Sequence, residues 1–325
     1  MATLKDVAKE VGVSIATVSY VLNDTGTVSK DVSNKVRAAV KKLGYRPNKK
    51  AQAMKTGVSN SIGLILPDLT NPFFPELAQK IEIMARKKGF TVILFNTLNK
   101  DDLEEEGFNI LEQHGVDGII WCPASNTTPK YLKTISSPIV VVDRPIKGFD
   151  TVQSDYKQGG ALLSEYVNNS GHKNIALISG LQNIESAKQR RLGFIENLSS
   201  DIKIDWEIEE AFSMELSDSA KEKLEENKAT LIVCADDVIA IGAINTLDNF
   251  GVKVPLDVSV LGFDNIPWSK VVRPQLTTIN QPIASISREA VNLLVNKIQE
   301  PDPTVKTIVL GVDLIERDSS IGYES

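Results

Sequence analysis

The sequence predicts two α/β lobes, with parallel sheets flanked by helices, behind a small all-helical N-terminal unit. Three observations carry this. Apolar residues in the first 45 positions recur at helical spacing, with capping residues between the groups. From position 61 onward short β-branched runs alternate with longer helical stretches, and the series starts again near position 174. Strand and helix in alternation are the mark of βαβ units. A length of 325 residues suits two or three compact units.

Leu4, Val7, Ala8 and Val11 form one stripe of a short helix that Gly12 ends. Ser14 is placed to cap a second helix whose Val18, Val21 and Leu22 face the first. Ser29 is placed to cap a third that carries Val32, Val36, Ala39, Val40 and Leu43 on one face and stops at Gly44. Pro47 permits a fresh start, so residues 48–55 read as a short linker helix, ended by Thr56-Gly57.

The core begins with SIGLIL (61–66), TVILFN (91–96), GIIW (118–121) and IVVVD (139–143), near-continuous apolar runs as expected of parallel strands covered on both faces. Leu77, Ala78, Ile81, Met84 and Ala85 make a helical stripe before Gly89, and residues 101–113 form the next crossover. The second series contains NIALIS (174–179), a helix at 186–198, a strand at 206–211, TLIVCA (230–235), a helix at 238–250 and VSVLG (258–262).

The 42% apolar and 24% charged fractions belong to an ordinary globular protein. No apolar run reaches the roughly 20 residues of a membrane span, and the first residues lack the basic start and apolar stretch of an export signal, so the expected location is cytoplasmic. Cys122 and Cys234 each lie in an apolar segment and read as buried thiols; with two His in the chain, neither a metal nor another cofactor is expected. Charge is unevenly spread. Residues 1–60 hold eleven Lys or Arg against four acids, a net of +7, which leaves −13 for the rest. Such asymmetry suits one basic module on a polyanion with an acidic body held off it.

In a helix-turn-helix the second helix enters the major groove while the first crosses the backbone. With Val18, Val21 and Leu22 inward, Ile15, Ala16, Ser19 and Tyr20 point outward as candidates for base contacts, and Ser14, Thr17 and Asn23 suit phosphate contacts. Spacing and charge alone leave a second reading, a small helical bundle with a basic surface.

The string TLKDVAKEVGVSIATVSYVLN, followed by VSKDVSNKVRAAVKKLGYRPN, resembles the headpiece of the LacI/GalR family of transcription repressors. GLILPDLTNPFF, VDGII, GHKNIALISG, ADDVIAIGAINTLDNFGVKVP, SVLGFDN and RPQLTTINQP extend the likeness, in the family's order, through nearly the whole chain. The resemblance implies a headpiece (1–46), a hinge helix and linker (47–58) and a periplasmic-binding-protein-like core (59–325). It divides the core into an N-lobe of about 59–153 and 281–310 and a C-lobe of about 154–280 and 311–325, with crossovers near 152–155, 279–281 and 310–313. It also implies an operator of double-stranded DNA, a small-molecule effector and a homodimer or tetramer. Hinge contacts to DNA fall on Asn48, Ala51 and Met54, where Met54 stands in place of the family's Leu wedge and Gln52 in place of a common Arg.

Ligands of two-lobed α/β proteins bind at the carboxyl ends of the strands, between the lobes. Asn71, Asp143, Asp236 and Asp264 fall at such ends. The resemblance implies apolar walls from Phe73 and Phe74 and polar contacts from Asp143, Arg190, Asp236, Asp264 and Gln281, and Ser186 lies one helical turn before Arg190. Carboxylates with an Arg suit vicinal hydroxyls, so the expected effector is a sugar or sugar-like polyol. Where the family usually has Asn, this chain has Asp236. Asp237 is expected to cap the helix that follows, Trp121 and Trp268 to stack on a sugar or to pack, and the run Asp101, Asp102, Glu104, Glu105, Glu106 to be a solvated helix start. An enzyme is not expected: no phosphate-binding loop, nucleophile elbow or zinc motif is present. A transported-sugar binding protein would share the core but needs an export signal and has no use for a basic helical unit.

Overall fold

The computed structural model describes residues 2–23, 25–45, 57–125 and 129–323. The chain divides into two compact units, residues 1–59 and 60–325. In the first, α1 (Leu4–Val11), α2 (Ile15–Asn23) and α3 (Lys30–Leu43) enclose a small core of Val7, Ala8, Val18, Val21, Val36 and Ala39. Each helix starts on a side-chain cap. Thr3 and Asp6 form a reciprocal capping box on α1, the Ser14 hydroxyl accepts from the Thr17 N–H at 3.0 Å, and Ser29 accepts from Val32.

The second unit holds two six-stranded sheets. The first contains β1 (Ser61–Leu66), β2 (Thr91–Asn96), β3 (Gly118–Trp121), β4 (Ile139–Val142), β5 (Asp150–Ser154) and β11 (Thr307–Leu310), all parallel, in the order β11-β5-β4-β3-β1-β2. The second contains β6 (Asn174–Gly180), β7 (Lys203–Glu210), β8 (Leu231–Cys234), β9 (Ser259–Asp264), β10 (Thr277–Asn280) and β12 (Asp313–Ile315), in the order β12-β10-β9-β8-β6-β7, with only β12 antiparallel to its neighbour. In both, the order reverses beside the first strand, β1 or β6. That switch point leaves a crevice at the strands' carboxyl ends.

Helices α4 (Phe73–Lys87), α5 (Asp101–Gln113) and α10 (Ile283–Gln299) pack on the first sheet, and α6 (Tyr156–Asn169), α7 (Glu185–Asn197), α8 (Asp218–Glu225) and α9 (Asp237–Asn249) on the second. The chain passes between sheets three times, from β5 to α6, β10 to α10 and β11 to β12. Among the described residues no helix is long and apolar enough to cross a membrane.

One close approach bears on the cleft. A Cβ on Gly160 of α6 would sit 2.1 Å from the Arg190 carbonyl oxygen, and one on Gly193 of α7 would sit 2.0 Å from that of Lys157. Only glycine lets these two helices meet so tightly, and the contact fixes the backbone that carries Arg190.

The acidic run on α5 corrects the sequence reading. Asp101, Asp102, Glu105 and Glu106 are exposed, but Glu104 is buried. Its carboxylate accepts from Trp121 Nε1 at 2.8 Å, the Ala124 N–H at 2.8 Å and the Tyr131 hydroxyl at 3.0 Å. Three donors aimed at one carboxylate offset its desolvation, which a purely solvated face would not require. Burial still raises its pKa.

Candidate functional site

Helix α2 presents the outward residues of the first unit. Ile15, Ala16 and Tyr20 are exposed and Ser19 is half-buried, whereas Val18 and Val21 fill the core. Ser14 and Thr17 share a hydroxyl–hydroxyl hydrogen bond of 2.8 Å, and the Asn23 amide donates to the Ser19 hydroxyl at 3.2 Å. Ile15 and Tyr20, each 50% exposed, give this face two large side chains that the unit's own core does not use. Asn48, Ala51 and Met54 lie outside the described residues.

In the second unit the structure brings Asn71, Phe73, Phe74, Asp143, Ser186, Arg190, Asp236 and Asp264 onto one cavity between the lobes, with an empty volume of about 270 Å³. Gln281 reaches it through Asp264, donating from Nε2 at 2.7 Å. Phe73 and Phe74 open α4 and meet edge to face, with ring centroids 5.3 Å apart. Asn71 caps that turn through the Phe73 N–H at 3.1 Å and donates across the cleft to Asp236 Oδ2 at 3.2 Å, linking the lobes.

Arg190 sits at the centre. Its Nη2 lies 3.0 Å from Asp264 Oδ1, its Nη1 donates to the Ala235 carbonyl at 2.8 Å, and its guanidinium stacks 4.0 Å above the Phe263 ring. Arg190 Nε and Gln281 Oε1 are buried with no hydrogen-bond partner in the protein. Asp143 and Asp264 both have left-handed backbones, with φ of 64° and 119°, conformations a non-glycine residue adopts at a cost of about 1–3 kcal/mol. The strain turns both carboxylates toward the cavity rather than along their strands. Tyr156, from the start of α6, holds Asp143 in place by donating to its Oδ1 at 2.8 Å.

Two side chains absent from the sequence reading complete the lining, and a third holds it from behind through Asp143. Arg144 follows Asp143, is buried, and donates to the Pro123 carbonyl at 3.0 Å beneath the Phe74 and Phe212 rings. Phe212 lies in the loop after β7 and faces both this cavity and a wider outer space of about 1090 Å³ that Asp68, Asn99 and Ser125 also line. Tyr156 is the third. An Asp-Arg pair closing an apolar strand was a usable signal for Arg144, whereas Phe212 had none, because its loop carries no periodicity.

Of the two adjacent aspartates, Asp236 keeps the cavity role read from the sequence and also takes the cap expected of Asp237. Asp236 is the N-cap of α9, accepting from the Ile239 N–H at 2.8 Å, and it also lines the cavity. Asp237 is the first helical residue and turns away, accepting from Thr278 Oγ1 and the Ile266 N–H. A cap must precede the first helical turn, and the helix begins one residue earlier than its periodicity suggests. Burial pushes Asp236 up to about 6 and Asp264 up to about 7, and raises Asp237 well above the ordinary carboxylate range. Trp121 is fully buried on Glu104. Trp268, 40% exposed, lies in a separate groove with Pro72 and Pro75.

A helical unit with an exposed recognition face, followed by a two-lobed α/β core with a charged cleft at its switch points, defines a DNA-binding regulator with a ligand-sensing core. The comparisons with known proteins agree. Residues 3–48 match the family of bacterial regulatory proteins of the lacI type, and residues 59–317 match the periplasmic binding proteins and sugar-binding domain of the LacI family. The chain belongs to the LacI family of transcription regulators. It is 34% identical over 329 residues to the HTH-type transcriptional repressor PurR of Histophilus somni, covering 98% of this chain and 99% of the relative. It is 33% identical over 328 residues to the ribose operon repressor of Halalkalibacterium halodurans, covering 100% and 99%. The Lac repressor dimer bound to operator and an anti-inducer superposes with a TM-score of 0.86 at 26% identity, covering 98% of this chain and 99% of that one.

Proposed function

We propose that this protein is a cytoplasmic repressor, acting by binding and not by catalysis, whose affinity for a double-stranded DNA operator is set by a sugar or sugar-like polyol in the interlobe cavity. Arg190 carries the reading: a buried guanidinium with a free Nε–H, stacked on Phe263, among three carboxylates and the Phe73/Phe74 walls. Carboxylate oxygens accept from vicinal hydroxyls in pairs, guanidinium nitrogens donate to their lone pairs, and aromatic faces cover the apolar side of a sugar ring. A purine base offers fewer donors to three carboxylates. In this scheme Ser14, Ile15, Ala16, Thr17, Ser19, Tyr20 and Asn23, with hinge positions Asn48, Ala51 and Met54, meet DNA. A homodimer places two such units on a pseudo-palindromic site, with half-sites about one helical turn or a small multiple apart.

The test is a thermal-shift panel of D-ribose, D-xylulose, D-glucose, hypoxanthine and guanine, followed by operator affinity at fixed salt on a site obtained by in vitro selection. At least one sugar should raise Tm by several degrees and change operator affinity by about 5- to 150-fold. A response to purine bases alone, or a stabilising sugar that leaves operator affinity unchanged, overturns the reading.

A further inference from the structure

The charges around the inner cavity do not balance. Asp264, ending β9, pairs with Arg190 of α7 at 3.0 Å, and Asp143, after β4, lies 3.9 Å from Arg144. Asp236 has no ammonium or guanidinium at ion-pair distance among the described residues; its oxygens accept from the Ile239 N–H and the Asn71 amide. Behind the wall, Asp237 adds a fourth buried carboxylate, bonded to Thr278 and Ile266. The other elements packed here bring no cation: α4 supplies Phe73 and Phe74, α6 supplies Tyr156, and the loop after β7 supplies Phe212.

We propose that Asp236 makes this cleft select an uncharged polyol and reject its phosphorylated or carboxylated derivatives. The inference rests on the carbohydrate reading above and narrows it. An anion in the cavity faces Asp236, whose oxygens meet only neutral donors and whose neighbouring guanidinium, Arg190, is already paired with Asp264, in surroundings where charge interactions are strong. Neither arginine is free to compensate. Arg190 has both terminal nitrogens committed, to Asp264 and to the Ala235 carbonyl, and Arg144 Nη1 is held by the Pro123 and Ala124 carbonyls. Arg190 keeps a single unpartnered Nε–H in place of the two-nitrogen fork that binds phosphate, and Arg144 Nε lies against Asp143 at 3.9 Å. A hydroxyl group supplies what the site lacks, a proton donor for Asp236 and an acceptor for Nε. Binding also moves a proton. Burial raises both Asp236 and Asp264, so the ligand-free pair holds a proton near neutral pH. Sugar hydroxyls donating to their oxygens favour the ionised forms, and that proton passes to bulk water.

The experiment is calorimetry on the full chain with three matched pairs: D-ribose and D-ribose 5-phosphate, D-xylulose and D-xylulose 5-phosphate, D-glucose and D-glucose 6-phosphate. Each is run at pH 6 and pH 8 in two buffers of different ionisation enthalpy. For the pair whose neutral member binds, the neutral sugar should bind on the order of 100-fold or more tightly than its phosphate. Its uptake should release protons, and its affinity should be greater at pH 8. Asp236→Asn, which keeps an oxygen to cap α9, should narrow the neutral-to-phosphate gap by about tenfold and reduce the proton release. Phosphate derivatives binding as tightly as neutral sugars overturn the proposal and leave the carbohydrate reading standing, as does an Asp236→Asn protein with the same selectivity and proton release as the parent. Silence from all six ligands sinks both.

Discussion

Arg190 and Asp264 form the most consequential contact of the cleft, a buried pair in which the cation also serves the Ala235 carbonyl and the carboxylate also serves Gln281. Burial, partly offset by Arg190 and by hydrogen bonds, moves Asp264 up to about 7 and Asp236 up to about 6, against about 4 for the same side chains in an unfolded chain. The folded state therefore binds protons more tightly than the unfolded state between these values. The contribution of the two groups to stability falls as pH rises from about 4 through 7 and is flat above. Without ligand, Tm of the parent should rise relative to that of Asp264→Asn as pH is lowered from 8 to 5.5, because only the parent regains a proton at that site. Parallel melting curves across the range would show that Asp264 is already ionised, compensated by Arg190. The neighbouring aspartates also mark what sequence reasoning resolves. Both fall at a strand-to-helix junction, and a one-residue displacement of the helix start gives Asp236 the cap as well as the cavity and turns Asp237 away from it.

Elements were legible in proportion to how fully their pattern was apolar. β1, β3 and β4, covered on both faces, are continuous hydrophobic runs, β2 is an equally apolar run on a partly exposed sheet edge, and α5 runs from Asp101 to Gln113 as its spacing predicts. The sequence reading assigns no helix to α6, α8 or α10. In α6 the buried face includes Gly159, Gly160 and Ser164, residues whose burial comes from close helix contact and not from hydrophobicity, so the stripe is faint. β11 and β12 span four and three residues with mixed exposure, too short for a period to show. The latch from α5 to the segment after β3 was hidden for a related reason: acidic residues at a helix start are usually solvated, and the donors from Trp121, Ala124 and Tyr131 come from distant positions. Glu104→Leu removes the acceptor from three donors at once and should cost about 2–5 kcal/mol. Glu104→Gln keeps one acceptor oxygen and should cost less. Urea unfolding followed by tryptophan emission measures both, and equal, near-zero costs would mean that water replaces the carboxylate.

At the scale of the molecule, the first 60 residues carry +7 and the remainder −13. A chain of uniform charge density would gain nothing from approaching a phosphate backbone, whereas this one presents a basic module to DNA and repels it with the larger part. Binding by two such modules in a dimer neutralises phosphates on two half-sites, and each cation that meets a phosphate releases a condensed counterion. Operator affinity should fall by roughly a thousandfold or more between 50 and 200 mM salt. The fragment 60–325, which forms a compact unit of its own, should retain sugar binding while showing no DNA affinity at either salt concentration. The recognition face sharpens the expectation. Ile15, Ala16 and Tyr20 offer apolar contact to thymine methyl groups and one hydroxyl, with no Arg on that face to read guanine. If the Tyr20 hydroxyl meets a base, Tyr20→Phe should lower discrimination between operator and random DNA while leaving the salt slope unchanged, because the slope counts phosphates. A Tyr20→Phe protein whose salt slope drops by about one, with selectivity intact, would place Tyr20 on the backbone instead of in the groove.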